Sequence, residues 1–254
     1  MPGNWGRGIM GPNIVLDGLV AYYDIANVKS YNGVGTAVTT LMPYPSSNAT
    51  LYGGATYVSS FPQAIRFQAA SSQYLRYDLA NFGTSFTVMS IVSSATSIWT
   101  DYGALGGSFY ISSPGAPMNG FGIDAFPDLS YGGTRVIYSI STMNTGTPTN
   151  VYVGDKIPSN ITRPNIYYFS YNSNTNTAVY GVNSDITTTS VVSFTSAQRD
   201  SGYLPMFIGK NREILQNDRY MNMNVYTHML YSRGLTREEL LTNYGSLKFR
   251  FGLS

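Results

Sequence analysis

Few side chains in this chain could do acid–base chemistry, and their spacing argues against it. Glycoside hydrolysis needs two carboxylates at a fixed separation, often set by two acids on one strand face. The only glutamates are Glu213, in a loop, and the adjacent Glu238 and Glu239 at a helix start, so none forms an acid-x-acid alternation. Asp124 and Asp128 bracket Phe126-Pro127, and the proline makes that stretch read as a turn. His228 is the single histidine, set within an apolar strand and without a nucleophile-elbow pattern nearby. A hydrogen-bonded histidine, in the interior or on a strand face, is therefore expected, not the base of a triad. Cysteine is absent, so thiolate and multi-imidazole metal sites have no ligands to draw on.

The residue types that fit recognition are aromatic. In Trp99-Thr100-Asp101-Tyr102 a flat indole can stack on a sugar face while Asp101 accepts from hydroxyls, with Tyr102 alongside. The competing reading of Trp99 is a core side chain ending a strand, since tryptophan is usually largely buried. Residues 103–107 and Gly132-Gly133 are glycine-rich but lack the strand-to-helix setting and lysine of a phosphate loop.

Composition narrows the partners. Charged residues make up 11% of the 254 positions, with 15 basic against 13 acidic, so there is no electrostatic footprint for nucleic acid. The 22 tyrosines and 26 glycines, with many serines, threonines and asparagines, describe a surface that is polar without being charged. Such a surface suits hydrogen-bonded contact with neighbours or sugars, because amides and hydroxyls lose less on desolvation than ions do. No apolar run approaches a membrane span, and Gly11, Pro12 and Asp17 interrupt the stretch where a secretory signal would need an apolar core.

The elements that must position these groups read as strands. Apolar, β-rich runs recur at 16–23, 55–60, 64–68, 74–77, 85–93, 121–125, 134–141, 150–153, 166–171, 178–182, 187–194 and 204–209. Residues 172–177, Asn-Ser-Asn-Thr-Asn-Thr, read as a hairpin loop, and glycines 103, 106 and 107 read as breaks. In 222–231 a period of two puts Asn222, Asn224, Tyr226, His228 and Leu230 on one face, with Met223, Val225, Thr227, Met229 and Tyr231 on the other. Thr236 stands three residues before Glu239, a capping box that opens one helix, with Gly245 as its expected stop. Residues 1–13 are Gly- and Pro-rich around Trp5 and read either as a mobile tail or, as the large indole favours, as an arm ordered on a neighbour with Trp5, Arg7 and Ile9 as its contacts.

These residues also carry a family resemblance. Ile208-Gly209, then Tyr231-Ser232-Arg233-Gly234-Leu235-Thr236 and an acid-opened helix, resemble the end of concanavalin A-like (laminin-G-like) jelly-roll domains. Residues 18–24 with Ser30-Tyr31-Asn32-Gly33 resemble that domain's opening strand and first turn, and 65–75 and 86–92 fall where it has two more strands. The ending Arg250-Phe251-Gly252-Leu253 is similar to copies found in tailed-phage structural proteins. The tryptophan and Asp-Leu-Ser segment common after the first turn is replaced by 37–47.

The resemblance implies an all-β, concanavalin A-like jelly-roll β-sandwich over 16–254, with one short C-terminal helix and an extended N-terminal arm over 1–15. It implies a non-enzymatic virion structural protein of a tailed phage, such as a capsid decoration, head-fibre or tail-appendage subunit, whose partners are other virion proteins or further copies. The alternative is a carbohydrate-binding module that takes host-surface or extracellular glycans through Trp99, Asp101 and Tyr102. A glucanase is the third class. Members of this family often hold calcium through loop oxygens, for which Asp24 with Asn27, or Asp218 with Asn217 near Asn222, are the candidates. Turn chemistry is the default reading of both groups, and no cofactor is expected.

Overall fold

β-Branched and aromatic runs form the strands, because such side chains pack well on a pleated surface. The computed structural model describes residues 14–41, 48–80, 83–97, 99, 103–111, 118–126, 135–144, 147–156, 158, 160–191, 203–210 and 219–253. Its first strands are β1 (Leu19–Asp24), β2 (Ala37–Val38), β3 (Ala49–Tyr52), β4 (Thr56–Val58), β5 (Ala64–Phe67), β6 (Tyr74–Ala80), β7 (Phe86–Ser94) and β8 (Gly103–Ile111). There follow β9 (Met118–Phe126), β10 (Arg135–Asn144), β11 (Thr147–Lys156), β12 (Asn165–Asn172), β13 (Thr177–Val182), β14 (Asp185–Ser190), β15 (Tyr203–Ile208) and β16 (Met223–Tyr231). One helix, α1 (Arg237–Phe251), comes last.

The strands build two eight-stranded antiparallel sheets. Sheet A runs β14-β13-β12-β7-β16-β5-β4, with β1 also paired to β16, and sheet B runs β11-β10-β9-β8-β15-β6-β3-β2. Face to face they make an all-β sandwich closed by one C-terminal helix. Between the sheets, Tyr23, Phe86, Val88 and Leu230 of sheet A meet Leu75, Tyr77, Phe121 and Ile123 of sheet B. Phe86 and Phe121 stack there with ring centroids 3.7 Å apart.

Sheet A is apolar on its other face too. Tyr22, Met89, Ile91, Tyr168, Met229 and Tyr231 pack against Leu240, Tyr244, Leu247 and Phe251 of α1. These four helical positions recur at helical spacing and form one stripe. The stripe explains why Gly245 does not stop the helix: burial of Leu247 and Phe251 outweighs the roughly 1 kcal/mol cost of an internal glycine. The stop is Gly252, at φ 63°, where its N–H bonds the Lys248 carbonyl. The expected capping box is present, with Thr236 Oγ1 accepting from the Glu239 N–H at 3.3 Å and Glu239 Oε2 accepting from the Thr236 N–H at 2.9 Å.

Two further departures from the sequence reading have local causes. The pairing of β16 with β7 shifts between Val225 and Thr227, a bulge that breaks the simple alternation. Met223, Val225 and Leu230 consequently share the inter-sheet core, while Tyr226, Met229 and Tyr231 face the helix. In β8 the glycines are strand residues, not breaks. A Cβ on Gly106 would stand 2.8 Å from Ser90 Oγ and 2.9 Å from Val88 Cγ1, and one on Gly107 2.6 Å from Gly122 Cα. The opposing layer and neighbouring strand lie too close for any side chain.

Several buried tyrosines find hydrogen-bond partners at the rims. Tyr138 donates to the Gly181 carbonyl at 2.8 Å, Tyr171 to Asn176 Oδ1 at 3.0 Å, and Tyr231 to the Val15 carbonyl at 3.1 Å. A phenol thus buries its ring while its hydroxyl reaches strand ends and turns.

Two stability outcomes follow. Gly106→Val should lower unfolding free energy by about 1–3 kcal/mol, through overpacking against β7, as a fall in urea midpoint with unchanged slope. Gly245→Ala should raise it by about 0.5–1 kcal/mol, because the site is exposed, helical and open to a Cβ.

Candidate functional site

Two places gather polar side chains, one inside the sandwich and one on its surface. Inside, His228 of β16 reaches across to sheet B: its Nε2 lies 2.6 Å from Tyr77 Oη and its Nδ1 2.8 Å from Ser90 Oγ. A neutral imidazole carries one N–H and one lone pair, so in either tautomer one neighbour donates and the other accepts. Tyr23 stacks on the ring at 6.4 Å, and Gly106 leaves room for it. His228 is only 1% exposed, and burial pushes its pKa down to about 3 while driving the Tyr77 phenol up. Ser90 is fully buried as well. The group fastens one sheet to the other and is closed off from solvent.

The acids weighed for catalysis or calcium are placed elsewhere. Asp24 is buried, with Arg250 Nη1 2.6 Å from its Oδ2 and Nη2 2.8 Å from its Oδ1. Tyr22 Oη and the Ala26 N–H also donate to it, at 3.3 and 3.2 Å, so the carboxylate is engaged by protein donors and not presented to a cation. Asn27 Oδ1 accepts from the Lys29 N–H, and Asn222 Oδ1 from the Ala69 N–H. Asp124 is a residue of β9, paired with Ala104 and Ile137, and not of a turn. Glu239 is bound by Arg233 at 2.6 Å, which holds its carboxyl below the usual range. Among the described residues no group of three or more His, Cys, Asp or Glu could hold a metal ion.

Trp99 is 1% exposed and belongs to the inter-sheet core, which removes its ring faces from any ligand in solvent. Its expected companions Asp101 and Tyr102 lie outside the described residues, as do Trp5, Arg7 and Ile9 of the arm, Asp128, Glu213, Asn217 and Asp218.

The surface group was not singled out by sequence. Leu75, Tyr77 and Leu79 of β6 point into the core, so Tyr74, Arg76 and Asp78 point outward from sheet B. Tyr52 of β3 is the direct partner of Tyr74, and their rings lie parallel, 4.6 Å apart and 4° from coplanar. The Lys210 ammonium stands 5.2 Å from the Tyr74 ring centroid, 5.7 Å from Phe207 and 5.8 Å from Tyr220. Arg76 lies 5.8 Å from Phe207 and pairs with Asp78 through both carboxylate oxygens, at 3.1 and 3.3 Å.

Rings and cations alternate here, each cation lying against a π-face, which fixes side chains that would otherwise be mobile. Lys210 and Phe207 form the floor, at 8% and 2% exposure, while Tyr52 is 39% exposed at the rim. The arrangement offers a flat apolar ring edge beside guanidinium donors and carboxylate acceptors. Those are the contacts a sugar ring needs, for its C–H face and its hydroxyls. The residues come from four separate stretches between positions 52 and 220, and only the alternation of 74–79 hinted at an outward polar row.

No family model matches the chain, and no curated protein matches it. Solved structures do. The binding domain of botulinum neurotoxin DC in complex with SialylT aligns at a TM-score of 0.64 and 8% identity, over 92% of this chain and 52% of that one. The same binding domain in complex with rat synaptotagmin II aligns at 0.63 and 8% identity, over 91% of this chain and 52% of that one. A Trypanosoma rangeli sialidase in complex with sialic acid aligns at 0.55 and 14% identity, over 89% of this chain and 32% of that one. The chain spans about half the length of the neurotoxin domains it matches. At such identities the likeness shows the β-sandwich fold.

His228 makes stability depend on pH in a defined direction. Its folded pKa, about 3, lies below the ordinary value near 6.5. Between those values the unfolded chain takes up a proton that the folded chain refuses, so stability falls as pH drops through that window. By pH 4.5 the loss from this group should reach roughly 2–3 kcal/mol. Urea unfolding of wild type and His228→Gln at pH 7, 5.5 and 4.5 should show a steeper decline in wild type; parallel declines would refute the assignment.

Proposed function

We propose that this chain is a non-enzymatic, glycan-binding β-sandwich module whose ligand face is the outward side of sheet B. The observation that carries the reading is the Tyr52–Tyr74 stack beside the Arg76–Asp78 pair. With α1 over the outward face of sheet A, the corresponding face of sheet B is the one that presents an ordered aromatic group. Two of the similar structures support a sugar ligand, one being in complex with SialylT and the other with sialic acid. Binding is favoured over hydrolysis because the acid at the patch, Asp78, is held by Arg76, and the described residues bring no second carboxylate to it.

A second reading, a subunit of a tailed-phage particle, rests on the resemblance of the ending 250–253 to copies of the domain found in tailed-phage structural proteins. In that setting the module would sit on the virion, its arm against a neighbouring subunit and its sheet B face towards the host. The two readings are compatible, and detection of the chain in purified particles by mass spectrometry would support the location.

Purified protein applied to a glycan array tests the primary reading. Wild type should retain a defined set of glycans, and Tyr52→Ala should weaken the best of them about tenfold, equivalent to ~1.4 kcal/mol, with thermal stability nearly unchanged. Trp99→Ala should instead lower stability, as a core truncation does. Absence of any bound glycan, or full affinity in Tyr52→Ala, would remove the proposed face.

A further inference from the structure

The ends of the two sheets differ in how they are protected. An exposed strand edge presents unpaired N–H and C=O groups, and proteins blunt it with short strands, proline, charge or bulges. Sheet B ends at β2, of two residues, and at β11, which carries Pro148, Asp155 and Lys156 and a register shift opposite Tyr138 and Ser139. Sheet A ends at β14 on one side, and on the other at β4, of three residues, and at β1, whose Tyr22 carbonyl accepts from the Leu41 N–H at 2.8 Å. β14, with sequence DITTTS, is six residues long, without proline, and pairs with β13 without a register shift. Its residues are half-buried or exposed throughout. The charge on Asp185 is already matched by Lys156, 2.6 Å away.

The hairpin fixes which groups face outward. Val182 and Asp185 pair across a two-residue loop, Asn183-Ser184, and the Val191 N–H bonds the Asn176 carbonyl at 2.9 Å. In an antiparallel pair hydrogen-bonded positions alternate, so Asp185, Thr187 and Thr189 bond β13. Ile186, Thr188 and Ser190 therefore direct their N–H and C=O groups out of the sheet.

We propose that β14 pairs with the β14 of a second copy of this chain, antiparallel across a two-fold axis at Thr188, making one continuous sheet from the two A sheets. In that register Thr188 meets its own copy, Ile186 meets Ser190 and Thr187 meets Thr189, each outward donor facing an outward acceptor. Asp185 falls opposite Val191, so no like charges oppose one another. A strand of this composition is thus complementary to itself, as a two-fold interface requires. Threonine–threonine and threonine–serine neighbours are favourable across strands. One short strand pair buries less than a standard interface of about 1,600 Å², so the dimer is weak and concentration-dependent.

Sedimentation velocity over a concentration series tests this, with far-UV circular dichroism confirming that each variant is folded. Wild type should shift from monomer to dimer as concentration rises. Thr188→Pro, which deletes an outward N–H at an edge where proline is tolerated, and Thr188→Lys, which sets two like charges face to face, should each weaken the dimer at least tenfold. Mixing Thr188→Lys with Thr188→Glu should restore it. A wild type that stays monomeric at every concentration, or a dimer untouched by both single variants, overturns the proposal.

Discussion

The central strands of sheet A are buried on both sides, and the need to cover the sheet's second face organises the rest of the molecule. A sheet in a simple sandwich hides one face and wets the other, but β7 and β12 present aromatic or aliphatic side chains both ways. Helix α1 covers the outward side, and ionic contacts at both of its ends hold it there. At its start Arg233 bridges Glu239 and Asp17, and at its end Arg250 engages Asp24 in β1. Burial raises the Asp24 carboxyl against the pull of Arg250, so loss of the guanidinium would leave an uncompensated acid under the helix.

Because the helix occupies one side of the sandwich, the proposed ligand face is assigned to the other. The outward face of sheet B answers with rings and cations packed into a fixed array. Lys210 is nearly buried, yet its ammonium lies near three aromatic rings, so it orders the surface tyrosines instead of projecting into solvent. Ordering of this kind lowers the entropic cost of binding, since the side chains already hold their bound positions. The inner His228 cluster complements it by locking the two sheets together beneath β6, the strand that carries Tyr74, Arg76 and Asp78.

Much of the architecture was legible in the sequence, and what was missed has physical causes. Strand-rich runs, the 172–177 hairpin and the Thr236–Glu239 cap follow local rules, and the structure contains them. A hydrogen-bonded, non-catalytic His228 was readable too, but its place in the interior is decided only by the packing of Tyr77 and Ser90 around it. Gly245 misled because its neighbours' burial is a tertiary effect, and the β8 glycines misled because their purpose lies in Ser90, Val88 and Gly122. The bulge near Tyr226 reversed the faces of half a strand. Beyond the alternation of 74–79 the tyrosine patch was not legible: Tyr52, Tyr74, Phe207 and Lys210 meet only through strand order, which no local pattern encodes.

β16 pairs with β7 along one side and with β1 and β5 along the other, although it is formed by residues 223–231. The middle strand of sheet A is therefore the last in chain order among the described strands, and the strands on its two sides are joined only through it. Completion must then span contacts as remote as Leu19 with Tyr231, a topology that favours slow closure.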